Sequence, residues 1–409
     1  MSHYLQATTK PGARMIAMAE DHAQDFAGRA AGHDRDNSYV AENMRAMQES
    51  GFLAACAPAE YCGLGVKSLL DLMIAISRIA RGCASSALCA NMHMAAVWRN
   101  TRNWEAAVTA GDREAADKAE FVLEALGESA IIVAGAASER GAPWNNPRTE
   151  AVQIGDAYII NGTKAFVTNS EIADSITAAV RIPAEDGSYR QGEVVVPAGT
   201  PGMTTKGNWD AVGMRGSGSH DVAFDNCRVP LSSVNIMPHD TSASSESQDL
   251  LSAAIANFPL LGTYLGIAEA AYEIALASAA KIDTTPSSER TYAVRHQVAE
   301  MRIDITTAQG VLLRCGCALD ELFGSSREVP QAEQWGAIIG WQSAKLQVNR
   351  LAGDVVDRAM TVCGGASYSN SNPLSRLYRD VRAGAFMQPL SPIEAYDFIG
   401  RTAISECAL

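Results

Sequence analysis

Hydrophobic and polar positions change rhythm twice along the chain. From residue 14 to about 128 apolar residues recur with the period of an amphipathic helix, as in Ala41–Ser50, which stops at Gly51, and in Leu69–Ala80, which stops near Gly82. Between about 129 and 235 the runs shorten and fill with β-branched residues: Ala130–Ala134, Ala157–Ile160, Gly192–Val196 and Asp221–Phe224. Gly, Asn, Asp and Pro separate them, so they predict strands of an antiparallel sheet. A polar, Ser-rich stretch from His239 to Asp249 reads as a connecting loop. Beyond Leu250 long helical patterns return near 250–282, 291–324, 330–363 and 389–405, with a loop at Pro286, and these predict a four-helix bundle. The expected domains are 1–128 (helical), 129–245 (β) and 246–409 (bundle), an α+β chain with no internal repeat.

Composition narrows the function classes. The chain of 409 residues is long enough for two or three domains around a sizeable core. Its 33 basic and 46 acidic residues leave a formal charge of −13, which argues against nucleic acid or an anionic membrane as the main partner. An anionic small molecule needs only a local basic pocket and stays open. The start, MSHYLQATTKPGAR, lacks a signal-peptide core, and no run reaches about 18 apolar residues, so a cytoplasmic protein is expected. Nine dispersed cysteines read as small buried hydrophobes, and seven scattered histidines without an HExxH pair predict no metal site. His93 reads as a satisfied buried residue at a helix contact. Neither a P-loop nor a dinucleotide fingerprint occurs; the Gly213–Gly218 cluster does not open a helix after a strand.

The most informative segment is Cys363–Ile393, CGGASYSNSNPLSRLYRDVRAGAFMQPLSPI. With Gly364, Gly365, Tyr368, Pro373, Arg376, Arg379 and Asp380 it resembles the C-terminal signature of the acyl-CoA dehydrogenase superfamily. The resemblance extends over roughly 15–405 through His33-Asp-Arg-Asp, Pro58–Gly65, Ala136–Trp144, Tyr158–Ser170 and Trp209–Val222. It implies an N-terminal helical domain, a middle β domain and a C-terminal bundle. It also implies FAD as cofactor and a homotetramer or homodimer, because in the family a neighbouring subunit's Gly-Gly segment meets the flavin. On the flavin strand the carry-over falls on Phe166, which would cover the isoalloxazine, and on Thr168, which would bond it near N5. Their spacing of two places both on one strand face. Ser138 would line the flavin, Gly364 and Gly365 would meet its adenine arm, and Arg290 would reach the neighbour's flavin. The bland alternatives are a half-buried strand for Phe166 and Thr168 and a helix-end turn for the glycines.

The substrate side departs from the family. A dehydrogenase of this kind needs a positioned carboxylate to take the proton beside a thioester carbonyl. The frame puts that position on Gln388, a neutral amide that offers only hydrogen bonds. The alternative base position of some members falls on Ala256, with Asn257 beside it. Arg140 and Trp144 occupy a shortened loop where pantetheine contacts would lie, and Arg215 and Ser217 are ligand-side candidates, although a turn-forming Arg explains the first as well. The resemblance therefore predicts a flavin-dependent oxidoreductase for an acyl-CoA-like thioester, with O2-dependent oxygenation, through a flavin–oxygen adduct, ahead of desaturation by a relocated base. A catalytically silent subunit of a hetero-oligomer is the third reading.

Overall fold

The computed structural model describes residues 4–143, 146–237, 243–282, 289–325, 327, 329–387 and 389–406. Six helices come first: α1 (Lys10–Ala27), α2 (Ala30–Asp36), α3 (Ala41–Glu49), α4 (Leu69–Gly82), α5 (Ala84–Ala110) and α6 (Arg113–Gly127). Eight strands follow: β1 (Val133–Ala136), β2 (Glu150–Ile154), β3 (Ala157–Val167), β4 (Ser175–Pro183), β5 (Tyr189–Pro197), β6 (Met203–Thr205), β7 (His220–Pro230) and β8 (Val234–Ile236). The chain then returns to helix in α7 (Ala243–Ile282), α8 (Glu289–Gly324), α9 (Gln331–Cys363), α10 (Pro373–Asp380) and α11 (Pro392–Glu406). The fold is α+β, with helical N- and C-terminal parts and a β middle part, as the periodicities predict.

Helices from both ends share one apolar core, and the sheet has its own. At the centre of the helical core, α4 is buried on nearly every side, as its sequence LLDLMIAISRIARG suits, and it lies between α1 and α7. The approach to α7 is close because Gly262 and Gly266 face it. A Cβ at Gly262 would sit 2.1 Å from the Met73 carbonyl oxygen, and one at Gly266 2.2 Å from that of Ser77. Such backbone-to-backbone contact leaves no side chain that could turn aside. From Ser247 to Lys281 the same helix is apolar enough to span a membrane, but 78% of its most apolar window is buried inside the protein.

Two expectations are corrected. The sheet, in the order β6-β7-β3-β2-β4-β5-β8, is not wholly antiparallel: β1 pairs with β4 in parallel, and β2 meets β4 in parallel at Glu150 and Arg181. The Ser-rich stretch is helical from Ala243, where α7 begins. Ser247 is fully buried there and donates to Gln334 Oε1 at 2.7 Å, so helix formation leaves its hydroxyl satisfied. No single long loop therefore fills 239–249. The expected loop at Pro286 lies outside the described residues. His93 is a helix contact: 1% exposed, it accepts the Val133 N–H at 3.2 Å and ties α5 to β1, while burial lowers its pKa to about 4.

Candidate active site

The end of β3 builds the site. A register shift between Lys164 and Val167 breaks its ladder with β7, and Phe166 takes φ +59°, a region that bulky side chains rarely enter. The Thr168 N–H closes the kink on the Phe166 carbonyl at 3.0 Å. The simple alternation expected for Phe166 and Thr168 on a shared strand face does not hold, because the bulge intervenes. Phe166 is 53% exposed and Thr168 only 8%. A strained, outward-facing aromatic ring costs on the order of 1–3 kcal/mol and persists only where the surroundings hold it.

Those surroundings are specific. Trp209 meets the Phe166 ring edge-on at 6.2 Å, and the Arg140 guanidinium stands 5.1 Å from its centroid. Arg140 in turn pairs with Asp221 at 3.1 Å, and Asn208 donates to the same carboxylate at 2.9 Å. Beneath this rim, the half-buried Ser138 presents its carbonyl to the Ala165 N–H at 2.9 Å, which fastens the 138–140 loop to β3. Next to it Glu139 and Lys164 form a buried pair at 2.6 Å. Burial favours the neutral acid, but hydrogen bonds from Lys164, Thr149 and Arg148 outweigh it and hold the Glu139 carboxyl below its usual range.

The loop before β7 is clamped by the C-terminal segment. Met214, at φ +53°, donates its N–H to Asp380 Oδ1 at 2.6 Å, and Asp34 of α2 pairs with Arg379. The three motifs HDRD, GMRGSGS and RD thus meet at one junction. Arg215 is used there: its guanidinium donates to the carbonyls of Asp34 (2.8 Å) and Ala211 (3.2 Å) and to Asp210 (3.3 Å), so the turn-forming reading describes it. Ser217 is fully buried, not ligand-facing as expected, because its hydroxyl turns inward to Ser219 at 2.8 Å.

Burial pushes the Asp380 carboxyl up to about 6, against the pull of Arg376 and of the Met214 N–H. A carboxyl with a raised folded pKa contributes stability that is full below its unfolded value and lost as pH rises through about 6. Asp380→Asn keeps an acceptor for Met214. It is expected to exceed the wild type at pH 7.5 by up to about 3 kcal/mol and to lose that advantage by about pH 4, read from urea midpoints. A variant less stable than the wild type at pH 7.5 would contradict this account.

In α7, Ala256 and Asn257 supply no carboxylate. The Asn257 amide donates to Ala253 O of its own helix at 2.8 Å, and Asn91 donates to Ala256 O at 2.8 Å. Gln388 and Trp144 lie outside the described residues, as does the side chain of Arg290. The flanks of Gln388 are nonetheless anchored: buried Lys345 donates to the carbonyls of Met387 and of Leu390, the latter at 2.6 Å. Burial lowers the Lys345 pKa to about 8. A lysine on the apolar face of α9, between Trp341 and Val348, is the sequence signal that identifies it. Gly364, at φ +71°, ends α9, and Gly365 follows it; both are exposed, and a Cβ on either would meet nothing within 4 Å.

An exposed flat ring with a hydroxyl two residues on fits a flat heteroaromatic group such as a flavin, and the glycine pair at the end of α9 is a separate surface bare of side chains. Models of the acyl-CoA dehydrogenase N-terminal, middle and C-terminal domains match residues 13–103, 134–227 and 258–388. Over 398 residues the chain is 31% identical to an amino sugar nitrososynthase from Streptomyces rubradiris, covering 97% of this chain and 91% of that protein. KijD3, solved in complex with FMN and dTDP-3-amino-2,3,6-trideoxy-4-keto-3-methyl-D-glucose, superposes with a TM-score of 0.89 at 29% identity, covering 99% of this chain and 96% of that one. A nitrososynthase from Micromonospora carbonacea var. africana gives the same TM-score of 0.89 at 29% identity, covering 98% of this chain and 99% of the other. The chain belongs to the acyl-CoA dehydrogenase superfamily of flavin-dependent oxidoreductases.

Proposed function

We propose that this chain is a flavin-dependent oxygenase that oxidises the amino group of a nucleotide-linked amino sugar with O2. The observation that supports the reading is a sequence that keeps the family's flavin motif and lacks a carboxylate at either base position. Phe166 and Thr168 match the family's flavin motif in sequence, whereas Ala256, Asn257 and Gln388 offer no carboxylate to remove a carbon-bound proton. Similarity to amino sugar nitrososynthases along almost the whole chain supports the substrate class. The acyl thioester expected from the wider family gives way on both grounds. A flavin, when bound, supplies the electron transfer to O2; the protein's own residues orient the ring and keep water from it.

In this reading Phe166, Thr168 and Ser138 would hold the isoalloxazine. Gly364 and Gly365 admit the remainder of the cofactor, FAD or FMN. Arg140, at the rim, would meet an anionic arm of the substrate by exchanging its contact with Asp221. The expected homo-oligomer is retained: Tyr368, Phe386, Ile393 and Tyr396 are 63–87% exposed along one C-terminal stretch, apolar surface that a second copy would cover.

The test supplies FMN or FAD, a flavin reductase with its nicotinamide donor, and 18O2, with a dTDP-linked amino sugar in one arm and acyl-CoA esters in the other. Labelled oxygen on the sugar nitrogen, seen by mass spectrometry, is the expected result. Anaerobic bleaching of the flavin by an acyl-CoA ester would instead establish desaturation, and failure to bind any flavin would leave the silent-subunit reading.

A further inference from the structure

Three buried hydroxyls form a chain that ends at Thr168. Ser217 Oγ lies 2.8 Å from Ser219 Oγ, which lies 2.9 Å from Thr168 Oγ1. The residues are 0%, 4% and 8% exposed. Backbone geometry holds them in line: Met214 and Gly218 both adopt left-handed conformations, at φ +53° and +52°. Asn169 braces the loop from below, donating its N–H to Ser217 O at 3.4 Å and its amide to Cys89 O at 3.0 Å while accepting from Tyr39 at 2.9 Å. These bonds use other groups, so among the described residues the Ser217 hydroxyl has Ser219 alone as polar partner.

That isolation gives the chain a direction. A hydroxyl has one proton to donate and two lone pairs to accept with, and a buried O–H without an acceptor costs about 1–3 kcal/mol. The Ser217 proton must therefore go to Ser219. Ser219, having accepted, sends its own proton to Thr168, and the Thr168 proton then leaves the chain at the Phe166 end. The reverse order would strand the Ser217 proton among Cys89 and the buried residues packed on this loop. Successive hydroxyls in one direction also polarise each other and strengthen the last donor.

We infer that Ser217 and Ser219 are positioning residues that make Thr168 a one-way hydrogen-bond donor, so that the site selects a ring with an acceptor atom at the edge facing Thr168. The inference rests on the flavin reading and adds to it a rule of discrimination. Oxidised flavin has a lone pair at N5, whereas its 5-deaza isostere has a C–H there and is otherwise the same shape.

The test measures binding of oxidised FMN and FAD against their 5-deaza counterparts by fluorescence titration. The wild type is expected to prefer the flavin by about tenfold, one neutral hydrogen bond's worth. Thr168→Val should bring the ratio to about one. Ser219→Ala, which frees the Thr168 hydroxyl to rotate, should reduce it to about threefold or less, and Ser219→Thr, which keeps the hydroxyl, should restore it. Equal binding of the two rings by the wild type, or an undiminished ratio in Ser219→Ala, overturns the inference alone. If neither ring binds, the flavin reading fails as well, so the two failures are distinguishable.

Discussion

Lys164→Met is expected to destabilise the protein by about 3–5 kcal/mol. The side chains of Lys164 and Glu139 are 0% and 6% exposed, and their contact is 2.6 Å. Removing the ammonium leaves a carboxylate with only neutral donors, Thr149 and the Arg148 N–H, in a place that water does not reach. A loss of that size is a large part of the roughly 5–15 kcal/mol by which a typical domain is stable. Replacing both partners, Lys164→Met with Glu139→Gln, removes the charge as well while keeping an acceptor for Thr149 and Arg148, and should recover most of the loss. Urea denaturation of the single and double variants forms the check. A single variant within about 1 kcal/mol of the wild type would mean that the pair is solvated. The effect should also reach the site, because Glu139 lies between Ser138, whose carbonyl binds Ala165, and Arg140, which stands over Phe166.

The pair illustrates what the sequence can and cannot disclose. Helices such as α4 and α9 were legible because a local period reports which face is buried. The parallel pairing of β1 with β4 was not, since the strand run reads the same locally whichever partner it finds across some 40 residues. At the candidate site the motif singles out Phe166 and Thr168 but not their relation, because nothing local announces a bulge that throws a phenylalanine into a left-handed conformation. The sequence leaves Arg215 and Ser217 open between a ligand-side and a turn role for a related reason. What decides their direction is Asp34, 181 residues away, in one case, and the inward-facing hydroxyls of Ser219 and Thr168 in the other. Charged and hydroxyl side chains acquire their roles from partners distant in sequence. Glu139, Lys164, Ser219 and Asp221 carry no signal of their own, because each is meaningful only as half of a contact.

Gly213→Ala is expected to weaken flavin binding by about a hundredfold, on the order of 3 kcal/mol, with little change in the melting of the helical core. A Cβ at Gly213 would lie 2.4 Å from the Arg379 carbonyl oxygen, 2.5 Å from its carbon and 2.7 Å from the Asp380 nitrogen. All three atoms are backbone, so no rotamer change relieves the clash, and the loop must lift from α10. Lifting it breaks the Met214 N–H bond to Asp380 and draws Ser217 and Ser219 away from Thr168. The Trp209 indole, which donates to the Met214 carbonyl at 3.0 Å, moves with the loop and leaves the edge of Phe166. One methyl group therefore removes two of the supports on which the strained Phe166 conformation and the Thr168 donor depend. The helical core should survive: Met214 is the one residue of the 213–219 loop among its buried apolar members, and the close packing of α4 on α7 through Gly262 and Gly266 does not involve it. Flavin titration alongside thermal unfolding followed at 222 nm separates the two quantities. Unchanged flavin affinity in a folded Gly213→Ala protein would show that the junction of Gly213, Met214 and Asp380 does not position the site.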